Sequence, residues 1–95
     1  MNKKIIIEKI RKNKRRLREK GVKKIGLFGS FAKGKNSKKS DIDILIKFEK
    51  IDFDNYLSIL DFLEKVFRRK IDLVIEDDLK PELKYVKKEA EYVKI

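Results

Sequence analysis

Two aspartates stand one residue apart at the start of an apolar run, in the segment Asp41-Ile42-Asp43-Ile44. Because side chains alternate between the two faces of a β-strand, Asp41 and Asp43 are predicted to share one face, with Cα atoms about 6 to 7 Å apart. Carboxylates this close repel each other, and each raises the pKa of the other unless a cation neutralises them. Magnesium is bound by one or two carboxylates together with substrate phosphates. The pair therefore predicts a site for a divalent cation and a phosphorylated substrate.

A Gly-Ser pair, Gly29 and Ser30, ends the preceding apolar run and is separated from Asp41 by ten residues of mostly small, polar and basic type. Glycine lets a backbone approach a ligand closely, and N–H groups at a strand-to-helix turn bind anions. Lys33, near the end of a short helix predicted over 30–33, is a candidate contact for a phosphate. Each feature alone has an ordinary explanation, a turn or a solvated strand entrance. Together, on antiparallel neighbouring strands, they favour a combined phosphate and metal site.

A third carboxylate, Asp72, is the only charge inside the apolar run Ile71–Ile75. A lone buried carboxylate is unfavourable unless it is paired or binds a metal. The strand–helix–strand order from Asp41 to Ile75 fits a right-handed βαβ crossover, which would lay Asp72 beside the strand of the first two aspartates. The alternative is an exposed aspartate at a strand entrance, paired with a nearby lysine.

The elements that must position these residues follow from hydrophobic periodicity and from stop signals such as Gly21. The pattern predicts an α/β (α+β) fold in the order α-β-α-β-α-β-α, with a small mixed three-stranded sheet flanked by about four helices. Strands are expected at 22–28, 41–48 and 71–75. Besides the short helix at 30–33, helices are expected at 3–20, at 55–69 and from 79 or 81 to 91. The basic middle of the first helix, 11–16, is open to two interpretations: contact with RNA or a partner, or a solvated face.

Composition narrows the function classes. The 95 residues predict one domain, 1–95, and the absence of cysteine and histidine excludes disulfides, thiolate sites and histidine-based catalysis. The net charge of +11 suggests affinity for polyanions, although a chain with 45% charged residues also suits an ion-pair-rich thermophile surface. No apolar run has the length of a membrane span, so we expect a cytoplasmic protein with no membrane partner.

The hydrophobic-Gly-Ser pattern, followed after ten residues by Asp-Ile-Asp-Ile, resembles the nucleotidyltransferase signature of the DNA polymerase β superfamily. The fuller form, GSFAKG…SDIDILI, is similar to the minimal nucleotidyltransferases (MNT proteins), which are found beside HEPN-domain toxins in prokaryotes. The resemblance spans nearly the whole chain and implies a polymerase-β-like nucleotidyltransferase fold, ATP as substrate and two Mg²⁺ ions. It implies catalytic metal ligands at Asp41, Asp43 and Asp72 and nucleotide binding by Gly29, Ser30 and Lys33. The chain departs from the family at Lys33, where arginine is common and offers a bidentate fork that lysine lacks.

For MNT proteins the resemblance implies transfer of AMP from ATP to a tyrosine of a cognate HEPN RNase toxin, which makes the MNT protein an antitoxin. Two alternatives stay open from the sequence. One is an antitoxin that masks its toxin by binding alone, and the other is a basic RNA-binding module. The three carboxylates favour the enzyme, whereas RNA binding alone would require neither ATP nor Mg²⁺.

Overall fold

A four-stranded mixed sheet forms the centre of the protein, in a computed structural model that describes all residues, 1–95. The strands are β1 (Val22–Phe28), β2 (Ile42–Phe48), β3 (Ile71–Ile75) and β4 (Glu91–Val93), in the spatial order β3-β2-β1-β4. Strand β2 runs antiparallel to β1 and parallel to β3. These two pairings confirm the predicted neighbours of the Asp41–Asp43 segment. The fourth strand was not predicted.

The helices are α1 (Lys3–Lys12), α2 (Lys14–Glu19), α3 (Gly29–Lys33), α4 (Phe53–Phe67) and α5 (Val86–Glu89). The single helix predicted over 3–20 is wrong, because it is interrupted at Asn13. The Asn13 side-chain amide donates to the carbonyl of Lys9 at 2.8 Å, which satisfies that carbonyl locally and competes with the helical pattern. Helix α4 begins at the N-cap Asp52, whose side chain accepts from the Asn55 N–H at 2.7 Å.

The hydrophobic core lies on one face of the sheet, beneath α1, α2 and α4. Alternate residues of β2 supply it, and they meet isoleucine and leucine side chains from the helices. Fully buried members of this core include Ile6, Leu17, Ile42, Ile44, Ile46 and Ile59. The same alternation directs Asp43 and Asp72 to the opposite face, because they are register partners on parallel strands. Helix packing on one face therefore leaves the other face for the site.

The C-terminal segment corrects a prediction. Instead of one helix from 79 or 81 to 91, the chain makes two 3₁₀ turns, Glu76–Asp78 and Pro81–Leu83, then α5 and β4. The helical spacing of its apolar residues did not decide the outcome, because β1 presents an edge with unpaired backbone groups. Residues 91–93 pair with that edge, and Val93 is the register partner of Ile25.

The buried carboxylate of Glu76 holds the C-terminal segment on the face of the sheet opposite the helical core. Glu76 is 6% exposed and lies 3.5 Å from both Lys24 Nζ and Lys87 Nζ. The Tyr92 hydroxyl donates to its Oε2 at 3.2 Å, and Lys24 Nζ lies 4.2 Å from the centre of the Tyr92 ring. Burial and the adjacent Glu76 raise the pKa of Tyr92 to about 12. The cluster joins β1, α5 and β4 through one carboxylate.

We expect Glu76→Ala to lower the free energy of unfolding by about 1 to 3 kcal/mol, since it removes a buried carboxylate that pairs with two half-exposed lysines and accepts a hydrogen bond from the Tyr92 hydroxyl. Urea denaturation measures the change. Asp61→Ala is the matched control, because Asp61 forms an exposed ion pair with Lys65 on α4 and its loss should change stability by less than about 0.5 kcal/mol. Equal midpoints for the two variants would contradict the role given to Glu76.

Two further predictions from the sequence concern surfaces. None of the helices combines the length and apolar character needed to span a bilayer. Two basic side chains of α1 and α2 lie against aromatic rings, with Lys9 Nζ 5.9 Å from the Phe67 ring centre and the Arg16 guanidinium 5.8 Å from that of Phe62. These contacts favour packing of long basic stems on apolar surface over a dedicated nucleic-acid face.

Candidate active site

Three strands terminate side by side at one end of the sheet, namely the C-terminal end of β1 and the N-terminal ends of β2 and β3. The predicted site residues lie there. Phe28, the last residue of β1, is the register partner of Asp43, and Asp43 is the register partner of Asp72 on β3. Asp43 is half-buried and Asp72 is exposed. The crossover from β2 through α4 to β3 therefore places two carboxylates directly opposite each other, as the strand–helix–strand order predicted.

The carboxylate of Asp43 is the one whose pKa is shifted by the other two aspartates, Asp41 and Asp72. Burial of Asp43, the charge of Asp72, hydrogen bonding with Asp72 and the charge of Asp41 together raise its pKa from 3.8 to about 6. The backbone N–H of Ser30, which faces this carboxylate, opposes the rise. A nearby cation stabilises the charged form of a carboxylate held in this way, because its attraction offsets both the repulsion and the desolvation penalty.

Asp41 lies just before β2, which begins at Ile42 rather than at the predicted Asp41. The Ile42 N–H donates to the carbonyl of Lys70 at 3.1 Å, which fixes where the strand starts. Asp41 is half-exposed and close enough to Asp43 to raise the pKa of that group. The sequence therefore identified three carboxylates that lie near one another, of which Asp43 and Asp72 lie within strands and Asp41 lies just before one.

Gly29 lies at the junction of β1 and α3, in the left-handed backbone region with φ +72°. A Cβ atom at this position would fall on Asp43 Oδ2 and lie 2.8 Å from Asp43 Cγ. The absence of a side chain at Gly29 is what allows the Asp43 carboxylate to lie against the backbone of the Gly-Ser turn. The predicted turn and the predicted carboxylates are thus packed together.

A cavity of about 360 Å³ opens beside these residues. Gly29, Lys33 and Asp72 border it on the sheet side, and Leu83, Tyr85 and Val86 border it on the side of the C-terminal segment. Lys33 Nζ lies 3.5 Å from Glu89 Oε2, and both side chains are about half exposed. Lys33 therefore lines the cavity, where a phosphate would compete with Glu89 for its charge.

Arg69 is a positioning residue that the sequence reasoning missed. Its Nη1 donates to the carbonyl of Ser40 at 3.0 Å and, at 3.4 Å, to that of Lys38, while its guanidinium lies 5.4 Å from the centre of the Phe31 ring. These contacts tie the basic loop that precedes Asp41 to α3. Arg69 lies between Arg68 and Lys70 in the sequence, and no local signal distinguishes it from these two basic neighbours.

The residues present fit a hard divalent cation. No group of three or more acidic side chains is arranged to hold a metal by itself. Magnesium does not require such a group, because it is held by one or two carboxylates and takes its other ligands from water and substrate phosphates. Asp43 and Asp72 supply those carboxylates on adjacent strands, and the repulsion between them is what a cation would relieve.

We expect the affinity for Mg²⁺ to fall about tenfold for each pH unit below about 6, because Asp43 must lose its proton to bind a cation. The stability of the fold depends on pH in the opposite direction from the affinity for Mg²⁺. A raised carboxyl pKa stabilises the metal-free fold below pH 3.8, and this contribution is lost as the pH rises through about 6. Titration calorimetry with MgCl₂ from pH 5 to 8 measures the first effect. Asp43→Asn should weaken Mg²⁺ binding at every pH and remove the pH dependence of the binding that remains, and an unchanged slope in that variant would exclude Asp43 as its source.

Comparison with known proteins places this geometry in a family. The family described as the nucleotidyltransferase domain matches residues 7–94. A protein adenylyltransferase named MntA, from Thermococcus cleftensis, is 38% identical over 84 residues, which cover 85% of each chain. A Methanocaldococcus jannaschii protein, provisionally named a protein adenylyltransferase, is 40% identical over 90 residues, which cover 90% of this chain and 88% of the relative.

Solved structures agree with the sequence relatives. A structure provisionally described as a minimal nucleotidyltransferase superposes with a TM-score of 0.82 and 26% identity, covering 95% of this chain and 94% of the other. A toxin–antitoxin structure with AMP-PNP gives a TM-score of 0.65 and 28% identity, over 81% of this chain and 62% of that one. The predicted polymerase-β-like fold is confirmed, with four strands in place of three. With the family pattern matched along almost its full length, the chain belongs to the nucleotidyltransferase domain family.

Proposed function

We propose that this chain is one Mg²⁺-dependent nucleotidyltransferase domain, 1–95, that transfers AMP from ATP to a tyrosine of a cognate HEPN toxin in the cytoplasm and so acts as an antitoxin. The observation that carries the proposal is the placement of Asp43 between Asp72 and the Gly29–Ser30 turn. The relatives named as protein adenylyltransferases and the toxin–antitoxin neighbour with an ATP analogue support the choice of substrate and partner.

The chain's own residues divide the work. Asp43 and Asp72, with Asp41 beside them, would hold one or two magnesium ions together with the substrate phosphates. When bound, the ions would supply positive charge to the triphosphate and lower the pKa of the acceptor hydroxyl. Gly29 and Ser30 would offer the backbone N–H groups of their turn to the leaving phosphates once a cation holds the Asp43 carboxylate, which the Ser30 N–H faces in the metal-free protein. Lys33 would offer its charge from the cavity wall. Asp72, exposed at the border of the cavity, would receive the proton of the acceptor hydroxyl.

The reaction is an in-line displacement. The acceptor oxygen bonds to the α-phosphorus of ATP, the bond from that phosphorus to the bridging oxygen breaks, and pyrophosphate leaves with the electron pair. Since the protein forms no covalent bond in this step, its contribution is positioning and electrostatic stabilisation.

The test is incubation of the purified chain with ATP labelled at the α-phosphate, MgCl₂ and the HEPN protein encoded beside it, followed by intact-mass measurement. We expect an adenylyl group on a tyrosine of the HEPN protein, and none when MgCl₂ is replaced by EDTA. A tight complex in which the HEPN protein keeps its unmodified mass would instead establish an antitoxin that acts by masking.

A further inference from the structure

The protein carries an aromatic hydroxyl of its own beside the candidate active site. Tyr85 lies between the second 3₁₀ turn and α5, is 54% exposed and lines the same cavity as Asp72 and Gly29. The cavity volume, about 360 Å³, lies within the range of about 300 to 1,000 Å³ that is usual for pockets that hold small molecules. A nucleotide seated at the Gly29–Ser30 turn would therefore share this space with the Tyr85 side chain.

The three tyrosines of the chain differ in what their hydroxyls do. The Tyr56 hydroxyl donates to the Leu73 carbonyl at 3.0 Å, and that of Tyr92 donates to Glu76. Both side chains are half-buried and held by these bonds. The Tyr85 hydroxyl makes no hydrogen bond within the chain, so it is the one phenol that can approach a substrate without breaking an existing contact.

Charge also favours a nucleotide near Tyr85. Lys84, Lys87 and Lys88 lie within three residues of it, and Lys33 faces the same cavity. Lys87 is partly engaged by Glu76 and Lys33 by Glu89, whereas Lys84 and Lys88 form no ion pair. A triphosphate carries several negative charges, so these lysines raise its local concentration beside the phenol.

We propose that Tyr85 is an intramolecular acceptor of AMP, so that the chain adenylylates itself when no partner protein is present. The inference rests on the proposed function and adds a modification site to it. The Tyr85 oxygen bonds to the α-phosphorus of ATP, the bond to the bridging oxygen breaks, and pyrophosphate leaves. The phenolic proton passes to the Asp72 carboxylate and then to water. The product is a phosphodiester that joins the Tyr85 oxygen to the 5′-oxygen of adenosine.

The experiment uses the full chain alone with MgCl₂ and ATP labelled at the α-phosphate. Intact mass and peptide mapping should find one adenylyl group, located on Tyr85. The modified fraction at a fixed time should not change over a hundredfold range of protein concentration, because the acceptor and the active site belong to one molecule. Tyr85→Phe should stay unmodified while it still transfers AMP to the HEPN protein. Tyr56→Phe, the matched control, should be modified as the wild type is.

The outcomes separate this inference from the function on which it rests. A chain that modifies its HEPN partner but carries no AMP itself overturns the inference alone. Adenylylation of a different side chain, or a modified fraction that rises with protein concentration, also overturns it. If neither protein is modified and the two still bind, the proposed enzymatic function fails, and this inference fails with it.

Discussion

Asp43→Asn should abolish AMP transfer, with a fall in rate of at least about a thousandfold, which corresponds to about 4 kcal/mol of transition-state stabilisation. Asparagine keeps the shape of the side chain and its contact with the Gly29–Ser30 turn. It removes the charge that a cation requires, so the expected loss is chemical rather than structural. Asp72→Asn should show the same loss, because Asp72 is the register partner of Asp43 and the candidate base.

The stability of Asp43→Asn should change in the opposite direction from its activity. The raised pKa of Asp43 shows that its charged form is unfavourable in the metal-free protein, owing to burial and to the neighbouring carboxylates. Removal of that charge should leave the thermal midpoint unchanged or raise it at pH 8. A residue whose loss lowers activity while it raises stability is typical of a functional site that is strained in its empty state.

The control is Asp54→Asn, which removes one exposed carboxylate from the first turn of α4, away from the three strand ends. The three variants are compared by initial rate of AMP transfer and by thermal denaturation at pH 8. Wild-type rates in Asp43→Asn and Asp72→Asn together would show that the acidic group is not catalytic. A loss of activity accompanied by a lower midpoint in both would indicate unfolding as the cause.

The acidic site was predictable because its geometry follows from short-range rules. Alternation along a strand fixes which residues share a face, and the right-handed βαβ crossover fixes which strand lies beside which. From these rules Asp72 was expected beside Asp43, and the register places it there. The Gly29 turn was expected beside Asp43 for the same reason, since two strands joined by one loop pair in an antiparallel manner.

The C-terminal segment was not predictable from local spacing. Leu79, Leu83 and Val86 recur at a helical interval and all three line the cavity, yet only Val86 is buried. The deciding factor was the free edge of β1, which is a property of the whole sheet. Residues 91–93 satisfy that edge, and Tyr92 then lies over Gly26, where a Cβ would be 2.8 Å from the ring.

Long-range polar contacts were missed for a related reason. The run Glu76-Asp77-Asp78 does not reveal which acid is buried, because the partners of Glu76 come from Lys24, Lys87 and Tyr92. Similarly, Arg69 binds carbonyls about 30 residues earlier in the chain. Such contacts depend on the assembled fold, so a single sequence carries no local mark of them.

Gly29→Ala should cause the second large effect, through two separate costs. The left-handed backbone at φ +72° disfavours any L side chain, by about 1 to 2 kcal/mol. The new methyl group would also fall on Asp43 Oδ2, so the carboxylate must move. Because a displacement of about 1 Å in a catalytic group lowers a rate by about a hundredfold, we expect a loss of activity of that order or greater.

Gly34→Ala measures the effect of the left-handed backbone alone, without a collision. Gly34 ends α3 with φ +70°, almost the same backbone angle as Gly29, but an added Cβ there meets no atom within 4 Å. We expect Gly34→Ala to lower the free energy of unfolding by about 1 to 2 kcal/mol and to leave the rate of AMP transfer near that of the wild type. The difference between the two glycine variants then measures the collision with Asp43.

A double-mutant cycle tests the collision directly. In an Asp43→Ala background the carboxylate is absent, so Gly29→Ala should lower stability only as much as Gly34→Ala does. In the wild-type background it should lower stability by a further amount of about 1 to 3 kcal/mol, the usual effect of an overpacked contact. Chemical denaturation of the four variants supplies the coupling energy.

Coupling near zero would mean that the Gly29 backbone and the Asp43 carboxylate are not in contact, and the site could not then hold phosphate and cation side by side. A clear coupling, together with full loss of transfer in Gly29→Ala, would tie the glycine turn and the carboxylate to one catalytic unit.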